Sequence, residues 1–273
     1  MKEYYISKDT TLSGFGRTNG YYHLLIDFII PLFVHSRGDD ILLHVDNRRL
    51  DPTFDEPVKP GVLPGERVKY LLEQVFGDRL KTTKNTINKH CGQIWLTKKQ
   101  KEQLPLSKVI QNVNKWWRSD FDRDPGHRGV WGEYDQSHYD YFREKMWDKY
   151  QTQYREEKYV TIIERGNDIS TIQRKSERSV ADIHESIVRL YENSHPCRVV
   201  RFENLTFEET VQVCRDSDVL IGQHGAGLAN CVFMEPGTKV AEYGPFKLPC
   251  YHVLADSCGL NHERINIHDL DTK

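Results

Sequence analysis

The residues of this sequence best suited to chemistry lie in one stretch, Val219-Leu-Ile-Gly-Gln-His-Gly-Ala-Gly-Leu-Ala-Asn-Cys-Val-Phe-Met-Glu-Pro-Gly-Thr-Lys-Val-Ala-Glu-Tyr243. An apolar run stops at Gly222. His224, Gly225 and Gly227 then form a tight loop that opens a helix at Leu228. Small residues let backbone N–H groups approach a ligand closely, and a helix N-terminus favours an anion. A second apolar run, Lys239 to Ala241, delivers Glu242, a carboxylate able to accept two ribose hydroxyls. The expected ligand is the diphosphate and ribose of a nucleotide-sugar. The plain alternative is a strand-to-helix turn of a Rossmann-like domain that binds nothing.

Two further sets complete such a site. Arg165 follows the apolar run Tyr159-Val-Thr-Ile-Ile163, and a guanidinium there can make bidentate bonds to a diphosphate. The plain alternative for Arg165 is an ion pair with Glu164 or Asp168. Arg174 and Arg178 add positive charge ahead of the next helix. His23 and Asp27, four residues apart, share one face of a helix set among Leu24, Leu25, Ile26, Phe28 and Ile29. An isolated charge in such surroundings is costly. The pair is therefore either a self-satisfied polar contact in a core or a base poised in a cleft, its pKa set by burial and its neighbour.

Residues 112 to 150 carry many aromatics between Arg, Asp, Gly and His. Aromatic faces stack on sugar rings, and Trp116, Trp117 and Trp131 are the candidates for an acceptor site; most of the others read as core. Asp122-Arg-Asp124 follows no strand pattern, so it reads as a loop rather than a metal and diphosphate clasp.

The elements that must hold these residues follow from hydrophobic pattern. Tyr21 to His35 reads as a buried helix with Asn19 as N-cap. Ile41–Val45 and Gln93–Thr97 read as strands, and Val68–Phe76 as a helix. From Lys158 the alternation is regular. Strands Tyr159–Ile163 and Arg198–Phe202, a helix Ser179–Tyr191 and a capping box Thr206-Phe-Glu-Glu209 lead into the glycine loop. This order predicts a parallel sheet with right-handed crossovers. Arg165, His224 and Glu242 then fall at carboxyl ends of strands, where open parallel sheets bind ligands. A last helix, Val253 to Cys258, precedes a polar tail.

Composition sets the class. The chain has 273 residues, 38% hydrophobic and 29% charged, with a net charge of -2. It is globular, and its charge gives no general pull towards nucleic acid or an anionic membrane, so any anion site is built locally. No apolar run is long enough to span a bilayer, and Met1 opens no signal-peptide pattern. The expectation is a soluble cytoplasmic protein, or a luminal secretory one if an anchor or leader is missing from this chain. The six cysteines are too sparse for a disulfide scaffold and form no C-x-x-C pair.

Several of these motifs resemble glycosyltransferase family 61. His-Gly-Ala-Gly-Leu-Ala-Asn, which adds Ala226 and Asn230 to the candidate donor residues, Phe233-Met-Glu-Pro-Gly237 and Val240-Ala-Glu242 are similar to the family's nucleotide-binding segment. Asn19-Gly-Tyr-Tyr-His-Leu-Leu-Ile-Asp-Phe-Ile-Ile-Pro-Leu-Phe33 resembles its N-terminal Tyr-His and Asp motif. Ile163-Glu-Arg-Gly166 with Arg174 and Arg178 resembles its arginine stretch. The resemblance implies an α/β fold of GT-B type, two Rossmann-like domains facing a cleft. Their expected extents are 1–155 for the acceptor domain and 156–250 for the donor domain, with 251–273 crossing back to the first. It further implies an inverting transferase that moves a sugar from a UDP-sugar to a glycan or glycoprotein acceptor without an essential metal. Asp27 would be the base and His23 its partner, or the reverse. UDP-xylose is the favoured donor, with UDP-GlcNAc and UDP-arabinose as alternatives. Three other readings stay open: a glycan-binding pseudo-enzyme of the same fold, a metal-dependent GT-A enzyme, and a dinucleotide oxidoreductase. The last is disfavoured because neither glycine stretch fits G-x-G-x-x-G.

Overall fold

The fold is that of a computed structural model, which describes residues 2–6, 21–45, 65–84, 136–165, 180–244 and 249–266. The chain forms two compact units, Met1–Glu133 and Tyr134–Lys273. Both are α/β, and every strand pairing described in them is parallel.

In the first unit strands β1 (Lys2–Ile6), β2 (Ile41–Val45) and β3 (Leu80–Lys84) form a sheet in the order β1-β2-β3. The expected buried helix is one continuous rod in three pieces: α1 (Tyr21–Leu24), a π turn (Leu25–Ile29) and α2 (Ile30–Ser36). It is apolar almost all round, and Leu24, Leu25, Ile29, Ile30 and Leu32 are fully buried. The π turn has a local cause. Pro31 has no N–H to give the carbonyl of Asp27, four residues back, so the α ladder breaks there. The coil widens instead, and Ile30 N–H reaches the carbonyl of Leu25. Arg37, in the left-handed region at φ 45°, ends the rod. Helix α3 (Gly65–Phe76) packs on it through the Phe33 and Phe76 rings, 5.8 Å apart.

The second unit holds a five-stranded sheet. Its strands are β4 (Tyr159–Ile163), β5 (Cys197–Val200), β6 (Ser217–Gln223), β7 (Lys239–Tyr243) and β8 (Asn261–Ile265), in the order β5-β4-β6-β7-β8. Its helices are α4 (Gln136–Lys149), α5 (Val180–Tyr191), α6 (Phe207–Arg215) and α7 (Cys250–Ser257). Alternate residues of the inner strands are buried on opposite faces. Val219, Ile221, Ala241 and Tyr243 pack with Ile183 and Ile187 of α5, while Leu220 and Val240 are fully buried on the other side. Thr206 and Glu209 cap α6 reciprocally, as expected.

Three differences from the sequence reading have physical causes. First, the division between units precedes α4, ahead of the boundary expected at 155. Helix α4 is bound to the second unit: Phe142 stacks 5.8 Å from Phe233, and Trp147 Nε1 donates to the Phe233 carbonyl. The Arg143 guanidinium, 1% exposed, bonds the carbonyls of Met234 and Cys258 and the Asp140 carboxylate. The aromatics of 136–149 are thus mostly structural. Second, the described part of 251–273 stays in the second unit, because β8 extends the sheet beside β7 in register, with Glu242 opposite Arg264. Third, the coil after the glycine loop is a 3-10 helix, Ala226–Phe233, beginning before Leu228. The strand expected at Gln93–Thr97, the Asn19 cap and the Asp122–Asp124 loop lie outside the described residues.

Candidate functional site at the carboxyl edge of the second sheet

Strands β4, β6 and β7 are neighbours, so their carboxyl ends bring Arg165, His224 and Glu242 together. Strand β6 runs one bond past Gln223, with His224 N–H donating to the Tyr243 carbonyl at 2.9 Å. Gly222 and His224 are two apart on an extended chain and so point to one face. Glu242 is the register partner of Gly222 and shares that face. With no side chain at Gly222, Ile163 closes over the row; a Cβ there would meet Ile163 Cβ at 3.0 Å.

The loop itself is tight. Gly225 is extended, at φ 170° and ψ 170°. Its carbonyl accepts from Leu228 N–H at 3.0 Å, the first bond of the 3-10 coil, and from the Tyr251 hydroxyl of α7 at 2.5 Å. The backbone amides of residues 225 to 227 precede that first internal bond, which is where a helix offers donors to an anion. Asn230 is buried and donates from Nδ2 to the Gly227 carbonyl, closing the first turn.

Arg165 lies directly over Gly225. A Cβ built on Gly225 would sit 2.5 Å from Arg165 Nη1 and 2.8 Å from Cζ. The guanidinium also donates to the His224 carbonyl at 3.1 Å. Its neighbour Glu164 is held by Arg201, through two bonds of 2.8 Å. A half-buried cation is therefore stacked on a glycine, beside the amides that open a helix.

Glu242 sits differently from the ribose-facing carboxylate expected. It is 1% exposed, and both oxygens are engaged. His224 Nδ1 lies 2.9 Å from Oε2, and Arg264 donates to Oε1 at 3.1 Å from Nε and 2.5 Å from Nη2. His262 Nε2 is 3.5 Å from Oε1, close enough for attraction and too poorly placed for a hydrogen bond. Burial pushes the Glu242 carboxyl pKa up, but the bonds from His224 and Arg264, with His262 close by, outweigh it and hold the group well below the carboxylate range. A depressed folded pKa adds stability above the ordinary value of 4.5 and loses it as pH falls below that value. The stability difference between wild type and Glu242→Gln should therefore be constant from pH 5 to 7. It should shrink steadily towards pH 2, as measured by urea unfolding at each pH. A difference that stays flat down to pH 2 would contradict an ionised, bonded Glu242.

Tyr251, His262 and Arg264 are the site residues that sequence reasoning missed. Arg264 had no signal, because Asn261-His-Glu-Arg-Ile265 is an edge strand without an apolar run. Tyr251 lies one residue into a helix expected to begin later. Arg174, Arg178, Trp116, Trp117 and Trp131 lie outside the described residues. His23 is placed in α1 and Asp27 in the π turn by their backbones; their side chains are outside the description. Among the described residues, no group of three or more His, Cys, Asp and Glu side chains is gathered for a metal ion. No helix among them is long and apolar enough to cross a membrane.

A parallel α/β sheet with a glycine loop and an arginine at its carboxyl edge defines a class of ligand-binding domain rather than one activity. The sequence supplies the rest. The profile of the family described as Glycosyltransferase 61 matches residues 21–241, from the start of the rod that carries His23 and Asp27 to the residue before Glu242 in β7. The chain belongs to glycosyltransferase family 61, and it is a glycosyltransferase that takes a sugar donor and a glycan acceptor. A search of curated proteins finds no significant match.

Proposed function

We propose that this chain is an inverting, metal-independent transferase of GT-B architecture that uses a UDP-sugar, with UDP-xylose the favoured donor. The observation that carries the donor half is the Arg165 guanidinium stacked on Gly225 beside the amides of residues 225 to 227. These groups suit a diphosphate, whose leaving oxygen gains charge as the anomeric C–O bond breaks. Arg174 and Arg178 would add charge to the same site. The acceptor hydroxyl attacks the anomeric carbon from the opposite face. Its C–O bond forms as the bond to the β-phosphate breaks, and its proton passes to Asp27, with His23 orienting that carboxylate. Trp116, Trp117 and Trp131 would line the acceptor site. The assignment of Asp27 and His23 rests on their motif rather than on side-chain geometry.

A donor panel tests this reading. UDP-xylose, UDP-GlcNAc, UDP-arabinose, UDP-glucose, UDP-galactose and GDP-sugars are compared by thermal shift with the purified chain, followed by UDP release with and without a chelator. A ligand at about 100 times its Kd adds roughly 2.7 kcal/mol, a rise of about 5–10 °C for a chain of this size. UDP-sugars should give that rise, UDP-xylose most, and turnover should survive chelation. A response to GDP-sugars alone, or to none, would overturn the donor assignment. Binding without transfer or hydrolysis would favour a glycan-binding pseudo-enzyme.

A further inference from the structure

We propose that Tyr251 is a positioning residue that fixes the peptide between Gly225 and Ala226, and so makes the Ala226 amide, rather than that of Gly225, the loop's donor to a phosphate beside Arg165. The proposal rests on the nucleotide-sugar reading above and narrows the loop to one amide and the side chain that aims it.

The geometry of one extended residue sets the directions. Gly225 stands at φ 170° and ψ 170°, and no cis peptide bond occurs among the described residues. In a fully extended residue its own N–H and C=O point to one side of the chain. Because a trans peptide is planar, the preceding C=O and the following N–H point to the other side. Both sides are marked here. The Gly225 carbonyl accepts from the Tyr251 hydroxyl at 2.5 Å, so that side faces α7. The His224 carbonyl accepts from Arg165 Nη1 at 3.1 Å, so the opposite side faces the guanidinium. The Ala226 N–H therefore shares the side of Arg165, and the Gly225 N–H is turned away from it.

Ala226 is half-buried, and among the described residues no acceptor meets its N–H. A backbone donor in that position is left to water or a ligand. Beside a guanidinium the fitting ligand is an anion, since a phosphate oxygen accepts from both groups. Tyr251 is built to hold this arrangement. It is 3% exposed, near the start of α7, a helix whose Leu254 and Ala255 are fully buried. A carbonyl oxygen only accepts, so the tyrosine hydroxyl is the donor. Leu228 N–H bonds the same carbonyl at 3.0 Å as the first link of the 3-10 coil, and the hydroxyl supplies the second bond that fixes the peptide plane.

The test uses NMR of the full chain. Gly-Ala occurs once in the sequence, so carbonyl-13C glycine with 15N alanine isolates the Ala226 amide; His-Gly also occurs once and isolates that of Gly225. On adding UDP the Ala226 amide proton should move downfield, and the Gly225 proton should move less. UDP binding with the larger response at Gly225, or with none at Ala226, overturns the proposal. So does an equal Ala226 response to uridine, which carries no phosphate. In Tyr251→Phe the ring remains and only the hydroxyl is lost. The Ala226 response to UDP should then shrink. The kcat/KM for UDP-xylose should fall about 10- to 100-fold, the scale set by a small misplacement at a reacting centre. A hydroxyl with a structural role alone would lower the melting temperature and leave both of those readouts unchanged, and that result overturns the role of Tyr251. Should the variant fail to fold, the wild-type shifts still decide which amide meets the phosphate. A wild-type protein that binds no UDP by calorimetry overturns the proposed function, and the phosphate contact with it, whereas UDP binding without the Ala226 shift overturns this proposal alone.

Discussion

Gly225→Ala is expected to lower kcat/KM for the donor by about 100- to 1000-fold while leaving the fold intact, the size of effect seen when one donor to a developing oxyanion is removed. The reason is steric and local. The new methyl would occupy the space of the Arg165 guanidinium, 2.5 Å from Nη1 and 2.8 Å from Cζ. The backbone at Gly225 is extended, so alanine adopts it without strain. What must move is the far end of a flexible, half-buried side chain, which costs little stability. Arg165 therefore swings off the loop and loses its 3.1 Å bond to the His224 carbonyl. Steady-state kinetics should show the loss, and calorimetry should show a melting temperature within a few degrees of wild type. Gly227→Ala is the contrasting control. Its methyl would meet Ile163 Cγ2 at 3.1 Å, inside the packed core of the unit. That change should cost about 1–3 kcal/mol of stability, the usual penalty for overpacking. Wild-type kcat/KM in Gly225→Ala would sink the role given to Arg165.

How much of this was legible depends on where each strand lies in its sheet. Strands β4, β6 and β7 are covered on both faces, so Tyr159–Ile163, Val219–Ile221 and Lys239–Ala241 read as apolar runs. Their ends, and with them Arg165, His224 and Glu242, could be placed from the sequence. The edge strand β8 is built from Asn261-His-Glu-Arg-Ile265 and carries no such signal. Its contribution, Arg264, becomes visible only through the register with Glu242. For that reason the sequence offers Glu242 as a ribose acceptor without revealing the bonds its oxygens make to His224 and Arg264. The π turn around Asp27 had its cause in the open, since Pro31 removes the donor its carbonyl would need. Hydrophobic periodicity records side-chain faces and is blind to one missing N–H. A similar limit hid the 3-10 character of Ala226–Phe233, where small apolar residues suit either coil.

Asp27→Asn should abolish transfer, with a fall in kcat of roughly 100- to 10,000-fold, and leave UDP affinity unchanged. The groups assigned to the nucleotide, Arg165 and the loop of residues 225 to 227, lie in the second unit, whereas Asp27 lies in the first. Donor binding and proton removal should therefore separate cleanly in kinetics. Asparagine keeps the size and hydrogen-bonding reach of aspartate but cannot take a proton at neutral pH. The acceptor hydroxyl would then attack while still protonated, and the barrier rises at the chemical step alone. Asp27 sits within a π turn, a coil found mostly as single turns inside helices and frequently at functional sites. His23→Ala supplies the second half of the test. If His23 orients the carboxylate, its loss should lower kcat less than the loss of Asp27, and the acidic limb of the kcat–pH profile should persist in His23→Ala and vanish in Asp27→Asn. The reverse ranking would hand the proton to His23, and full activity in Asp27→Asn would remove the first unit's motif from the chemistry altogether.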